Sequence, residues 1–220
     1  MCPSALSPRP DTRILLIRHG ETEWNRAGRV QGWRDSPLTG TGAAQARALA
    51  ERLAAERIER LIASDLGRAR QTAAPIGARL GLPVELDPGL RERNYGIFEG
   101  RTYPEIAREH PEDHASLVRR DPAYVIPGGE SGAEFAARAL GALARIAAAH
   151  AGQRVAVVAH GGVLGVLYRH AAELPEGAER AYSLANASLN HVRFHAGGWV
   201  IERWGDVSHL AEAAVDDPIE

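Results

Sequence analysis

Two stretches of the chain share one form: Arg13-Ile14-Leu15-Leu16-Ile17-Arg18-His19-Gly20 and Arg154-Val155-Ala156-Val157-Val158-Ala159-His160-Gly161-Gly162. Each is an apolar run that ends in His-Gly. At six residues, the runs 13–18 and 154–159 are too brief for helices, and their branched side chains suit strands buried on both faces of a sheet. In open α/β sheets, ligands sit beyond the carboxyl ends of the strands. If these two strands are neighbours, about 5 Å apart, His19 and His160 face the same small space. The glycines that follow let the backbone approach a ligand closely. Two imidazoles with Arg18 nearby suit a phosphoryl group better than a carbonyl.

Working outward, a polar loop with Gly20, Gly28, Gly32 and Pro37 reaches to about Gly40. Thr41 then caps a predicted helix near 42–57, with Ala46, Leu49, Ala50 and Leu53 on one face. Residues 60–64 read as a strand, 66–80 as a helix, and 83–86 as a short extended piece leading into a loop to about 100. Prolines 104, 111, 122 and 127 break the rhythm, so 101–130 reads as a helical excursion beside the sheet. Ser131-x-x-Glu134 forms a capping box that opens an alanine-rich helix to about 149. After the second buried strand come a helix near 162–172 and a hairpin of 188–195 and 198–204 around Gly197-Gly198. This alternation predicts an α/β three-layer sandwich with a mostly parallel central sheet and one antiparallel edge. The expected organisation is a disordered tail at 1–11, a single domain at 12–210, and a second tail at 211–220.

The chain has 220 residues, enough to bury a core without disulfides or a structural metal. A net charge of -2 gives no global field for nucleic acid or an anionic membrane. All 26 Lys and Arg positions are arginine, so any anion preference comes from local guanidinium groups. Cys2 is the only cysteine, which excludes a disulfide framework and a thiolate zinc site. The opening MCPSALSPRP carries three prolines and no apolar run, so it reads as neither signal peptide nor anchor, and a cytoplasmic location is expected. The other seven histidines read as surface or hydrogen-bonded residues. No HExxH or carboxylate triad accompanies His19 or His160, so no metal is expected.

Four motifs then appear in order. Arg18-His19-Gly20-Glu21-Thr22 is followed by Trp24-Asn25. Ser64-Asp65-Leu66-Gly67-Arg68-Ala69-Arg70-Gln71-Thr72-Ala73 fits S-x-L-x-R-A-x-x-T-A. Leu90-Arg91-Glu92, Gly96 and Glu99-Gly100 fit L-x-E-x-x-x-G-x-x-E-G, and Ala159-His160-Gly161-Gly162 closes the set. Together they resemble the histidine phosphatase superfamily, in its phosphoglycerate-mutase-like branch and of the broad-specificity phosphatase type. The resemblance implies a phosphoglycerate-mutase-like fold and a catalytic set of Arg18, His19, Arg68, Glu92 and His160. His19 would attack as a neutral imidazole to form a phosphohistidine, its other nitrogen held by a backbone carbonyl near Gly20. Arg18 and Arg68 would bind phosphoryl oxygens through bidentate geometry, with Arg68 helped by a helix N-terminus. His160 would bind a phosphoryl oxygen, and Glu92 would act as general acid and then base, a role that asks for burial. Asn25, Gln31, Gly32, Gly161 and Asn186 are the candidate substrate-binding or loop-steadying residues, while Glu21, Glu85 and Glu99 read as structural.

The resemblance implies a phosphatase acting on a small phosphorylated metabolite, with no metal or organic cofactor. A cofactor-dependent phosphoglycerate mutase is the chemical rival. The segment 101–130 argues against it by lacking the longer proline-run insertion of such mutases, and Gln31 before Gly32-Trp33 looks more like the phosphatase branch. A catalytically inactive phosphate-binding module is the rival of another class, opposed by the complete five-residue set. Gly129-Glu130-Ser131-Gly132-Ala133 begins like a nucleophile elbow but ends in alanine and follows no strand. The terminal hairpin offers an edge for a homodimer, although nothing in the sequence demands one.

Overall fold

A computed structural model describes residues 10–119, 121–175, 179–196 and 198–210. The chain runs β1 (Thr12–Arg18), α1 (Glu23–Arg26), α2 (Gly40–Leu53), β2 (Arg60–Ala63), α3 (Gly67–Leu80) and β3 (Val84–Leu86). It continues through α4 (Tyr103–Glu109), α5 (Pro111–Val118), α6 (Gly132–Ala149), β4 (Arg154–Ala159), α7 (Gly161–Ala171), β5 (Leu189–His195) and β6 (Gly198–Asp206). The six strands form one sheet in the order β3-β2-β4-β1-β5-β6. The first four are mutually parallel, and β5 turns antiparallel to β1 and pairs with β6 as the edge hairpin.

The two apolar runs are central because every residue in them must be covered. Side chains alternate across a strand, and the register pairs Ile14 with Val155 and Leu16 with Val157. Those four face α6 and α7, meeting Phe135, Leu143, Ile146, Val163 and Leu167. Leu15, Ile17, Ala156 and Val158 face the other way, onto Leu49 and Leu53 of α2 and Ala73 and Ile76 of α3. Three layers follow directly from strands that are apolar on both faces. Ser131 caps α6 as the sequence indicates: its hydroxyl accepts the Glu134 N–H, and the Glu134 carboxylate accepts the Ser131 N–H.

Segment 101–130 carries α4 and α5, which pack on a small core of their own. Val30, Phe98, Ile106 and Ile126 are its buried centre. Val30 is tied to the start of the excursion from both sides: its N–H donates to Arg101 O at 2.9 Å and its carbonyl accepts Gly100 N–H at 2.8 Å. The excursion therefore anchors the loop that follows the first His-Gly.

Three boundaries differ from the sequence reading. Thr39, not Thr41, caps α2, and the helix ends at Leu53 rather than near 57. Thr39 Oγ1 accepts the Gly42 N–H at 2.9 Å and donates to Glu21 Oε1 at 2.7 Å, a tertiary bond that favours it over the other threonine. Asp11, assigned to the N-terminal tail, is held by the sheet edge, its carboxylate pairing with Arg193 at 2.8 Å. Residues 1–9, 211–220 and Gly197 lie outside the described residues.

Candidate active site

The strand pairing carries the two histidines to one place. His19 N–H donates to Ala159 O at 3.0 Å, and the imidazole rings stand 5.3 Å apart at 60°. Both side chains are buried. His19 Nδ1 lies 2.8 Å from Gly20 O. A carbonyl can only accept, so Nδ1 carries the proton and Nε2 keeps its lone pair. Arg68 Nε donates to that nitrogen at 3.3 Å. Burial, and after it the guanidinium groups of Arg68 and Arg18, hold the His19 pKa well below its ordinary 6.5, so the imidazole is neutral at pH 7. Gly20 is required here: a Cβ would stand 2.6 Å from Gly42 O.

Arg18 and Arg68 are both buried. Arg18 Nη1 donates to Leu184 O. Arg68 also donates through Nη2 to Gly32 O at 2.8 Å and through Nη1 to Asp35 Oδ1 at 3.0 Å. The helix N-terminus expected to assist Arg68 is already occupied. Asp35 accepts the N–H groups of Gly67 at 2.6 Å and Arg68 at 3.4 Å. The positive charge at this place comes from guanidinium groups, because a carboxylate already neutralises the dipole of α3. Arg70 points to solvent, as its position two residues on implies.

Glu92 is buried. Its Oε1 accepts Arg93 N–H at 2.8 Å, and its Oε2 accepts the N–H of Gly162, in the first turn of α7, at 3.0 Å. The backbone beneath it is clamped by Arg138, which donates to the carbonyls of Gly89, Arg91 and Glu92 while pairing with Glu130 at 2.7 Å. Trp33 Nε1 adds a bond to Glu92 O at 2.9 Å. Gly162 makes room for the carboxyl: a Cβ there would lie 2.2 Å from Glu92 Oε1. Gly162→Ala is therefore expected to displace the carboxyl and lower kcat roughly tenfold or more, since a small misplacement is costly in catalysis. Its melting temperature should fall as well, because the Cβ would lie 3.1 Å from Phe135 Cε1 and the displaced carboxyl would leave its backbone donors. Unchanged kcat in a folded Gly162→Ala protein would show that the carboxyl's position is unimportant.

A recess of about 370 Å³, its open mouth included, ends on Arg18, His19, Arg68 and Glu92. The profile of the histidine phosphatase superfamily (branch 1) matches residues 14–207. The chain belongs to the histidine phosphatase superfamily. It is similar to a probable phosphoglycerate mutase GpmB from Photorhabdus laumondii, at 40% identity over 93% of this chain and 98% of that protein. Among solved structures it resembles a putative alpha-ribazole-5'-P phosphatase from Escherichia coli K-12, with a TM-score of 0.81 and 27% identity over 89% of this chain and 96% of that one. A mycobacterial glucosyl-3-phosphoglycerate phosphatase solved with VO3 is also similar, with a TM-score of 0.77 and 35% identity over 88% of this chain and 98% of that one. The family and these neighbours are enzymes, phosphatases or mutases, that share the phosphoglycerate-mutase fold.

In this histidine phosphatase superfamily member, the accessory candidates divide. Asn25, Gln31 and Gly32 line the recess. Gln31 Oε1 is buried there without a protein partner among the described residues. Gly161, Asn186 and His160 do not line it, the His160 ring lying beside that of His19 with 5.3 Å between centroids. Asn186 works from below: its Nδ2 donates to His19 O at 3.0 Å and reaches Asn25 Oδ1 at 3.4 Å. Glu99 is structural, its carboxylate accepting the N–H groups of Trp33, Arg34 and Tyr95 and so shaping the loop around Gly32. The sequence reading missed Arg29 and Tyr95 in the lining, and Asp35 and Arg138 in support. None of these four has a local pattern that separates it from an ordinary surface residue. No helix among the described residues is long and apolar enough to cross a membrane.

Proposed function

We propose that this enzyme hydrolyses small phosphate monoesters through a phosphohistidine formed on His19. The observation that carries the reading is the state of that ring: neutral, its Nδ1–H bound to Gly20 O, and its Nε2 accepting from Arg68 Nε at the wall of a recess that buried Arg18 also lines. Catalysis of phosphoryl transfer is mostly positioning and charge neutralisation, and this pocket supplies both. His19 Nε2 bonds to phosphorus while the ester P–O bond breaks. Glu92 gives its proton to the departing alkoxide, then takes one from water. The water oxygen bonds to phosphorus as the P–Nε2 bond breaks, which releases inorganic phosphate and restores the neutral ring. Arg18, Arg68 and His160 hold the equatorial oxygens, while Asn25, Gln31 and Gly32 contact the phosphate or the leaving group.

A second reading has a specific support, since the curated relative at 40% identity is named a probable phosphoglycerate mutase. Hydrolysis is favoured by the names of both structural neighbours. Purified protein given 3-phosphoglycerate and a panel of small phosphate esters separates the two. Phosphate release with kcat/KM highest on one ester class is the expected result. Interconversion of phosphoglycerates with little phosphate release would establish the mutase instead.

A further inference from the structure

Both ring nitrogens of His160 are buried, and they are treated differently. Nε2 lies 2.8 Å from Ser64 Oγ, while Nδ1 has no partner among the described residues. Ser64 follows β2 directly, and its N–H donates to Val158 O on β4, at 2.9 Å. Strand pairing thus sets this serine beside the end of the strand that carries His160. Neither side chain is exposed.

We propose that Ser64 is a positioning residue that fixes the tautomer of His160, making Nδ1–H the ring's donor to a phosphoryl oxygen. The inference rests on the reading of His160 as a phosphate ligand. A hydroxyl has one proton to donate and two lone pairs. One lone pair of Ser64 Oγ accepts the Leu66 N–H at 3.3 Å. Burial, and after it the neighbouring charge of Arg68, hold the His160 pKa well below 6.5, so its ring has one N–H to place.

Two arrangements are possible in principle. With the proton on Nε2, Ser64 Oγ would accept twice, and its own buried O–H would have no acceptor among the described residues. Nδ1 would then present a lone pair, which repels the oxygens of an anion. With the proton on Nδ1, the chain closes: Leu66 N–H donates to Ser64 Oγ, and Ser64 O–H donates to His160 Nε2. The one donor left over is Nδ1–H, which the phosphate-ligand reading gives to a phosphoryl oxygen bound beside His19. Buried polar groups are satisfied wherever they can be, and only the second arrangement satisfies all of these with an oxyanion bound.

The test is a long-range 1H–15N correlation spectrum of uniformly 15N-labelled full-length protein, with the His160 signals assigned by their loss in His160→Gln. The wild type is expected to show the Nδ1–H pattern, and Ser64→Ala to move the ring toward Nε2–H. With the donor misdirected, kcat for Ser64→Ala should fall on the order of ten- to a hundredfold, the low side of losing an oxyanion donor. Ser64→Thr, which keeps the hydroxyl, should regain most of that loss. An Nε2–H pattern in the wild type, or an unchanged tautomer in Ser64→Ala, overturns the proposal. If Ser64→Ala does not fold, the wild-type spectrum still decides. Full turnover by His160→Gln would instead remove the phosphate-ligand reading, a separate failure from that of the tautomer.

Discussion

His19→Ala protein is expected to turn over phosphate esters about 10⁶-fold more slowly than wild type, the scale seen when a covalent nucleophile is removed. The size of the effect follows from where the residue stands. Its ring lines the arginine-edged recess with Nε2 held only by Arg68 Nε, and no cysteine lies among the described residues there. Binding should persist, because Arg18 and Arg68 remain. Rapid quenching of wild type with labelled substrate provides the companion measurement. A phosphohistidine is a phosphoramidate, so the protein-bound label should survive alkali and be lost in acid. Label that survives acid, or near-normal turnover by His19→Ala, would exclude His19 as the nucleophile.

Glu92→Gln is expected to show a loss that depends on the leaving group. For alkyl phosphates, whose alkoxide needs a proton as it departs, kcat should fall by roughly 10² to 10⁴, the usual range for general acid–base catalysis. For p-nitrophenyl phosphate, whose phenolate leaves unaided, phosphorylation of His19 should be nearly unaffected, and a burst of p-nitrophenol should precede slow dephosphorylation. Gln cannot accept as the carboxylate does: both oxygens now take backbone N–H groups, from Arg93 and Gly162, and an amide nitrogen would face one of those donors. A melting curve is the control for that local cost. An equal loss on both substrate types, with no burst, would make Glu92 a structural residue and not the proton carrier.

Much of the fold was legible because its central strands are apolar on both faces. Runs such as Arg154–Ala159 have no amphipathic alternative, so sheet, burial and two helical layers follow from period alone. The capping box at Ser131 was legible because its bonds are local, spanning three residues. The start of α2 was not, because Thr39 and Thr41 are locally equivalent and Glu21, eighteen positions away, distinguishes them. The site divides in the same way. His19 and His160 stood out through position at strand ends, whereas Asp35 and Arg138 act through contacts between distant segments.

The sequence by itself determined the chemistry available: which strands are buried, that each of two ends in His-Gly, and that arginine is the cation at hand. Strand-end position follows from local pattern, so it can be read without coordinates. Tertiary structure alone decided protonation and aim. Nε2 of His19 accepts from Arg68, Nε2 of His160 lies against Ser64, and the dipole of α3 is neutralised by Asp35. Those facts depend on distances between groups far apart in the chain and on their burial together, which no linear pattern encodes.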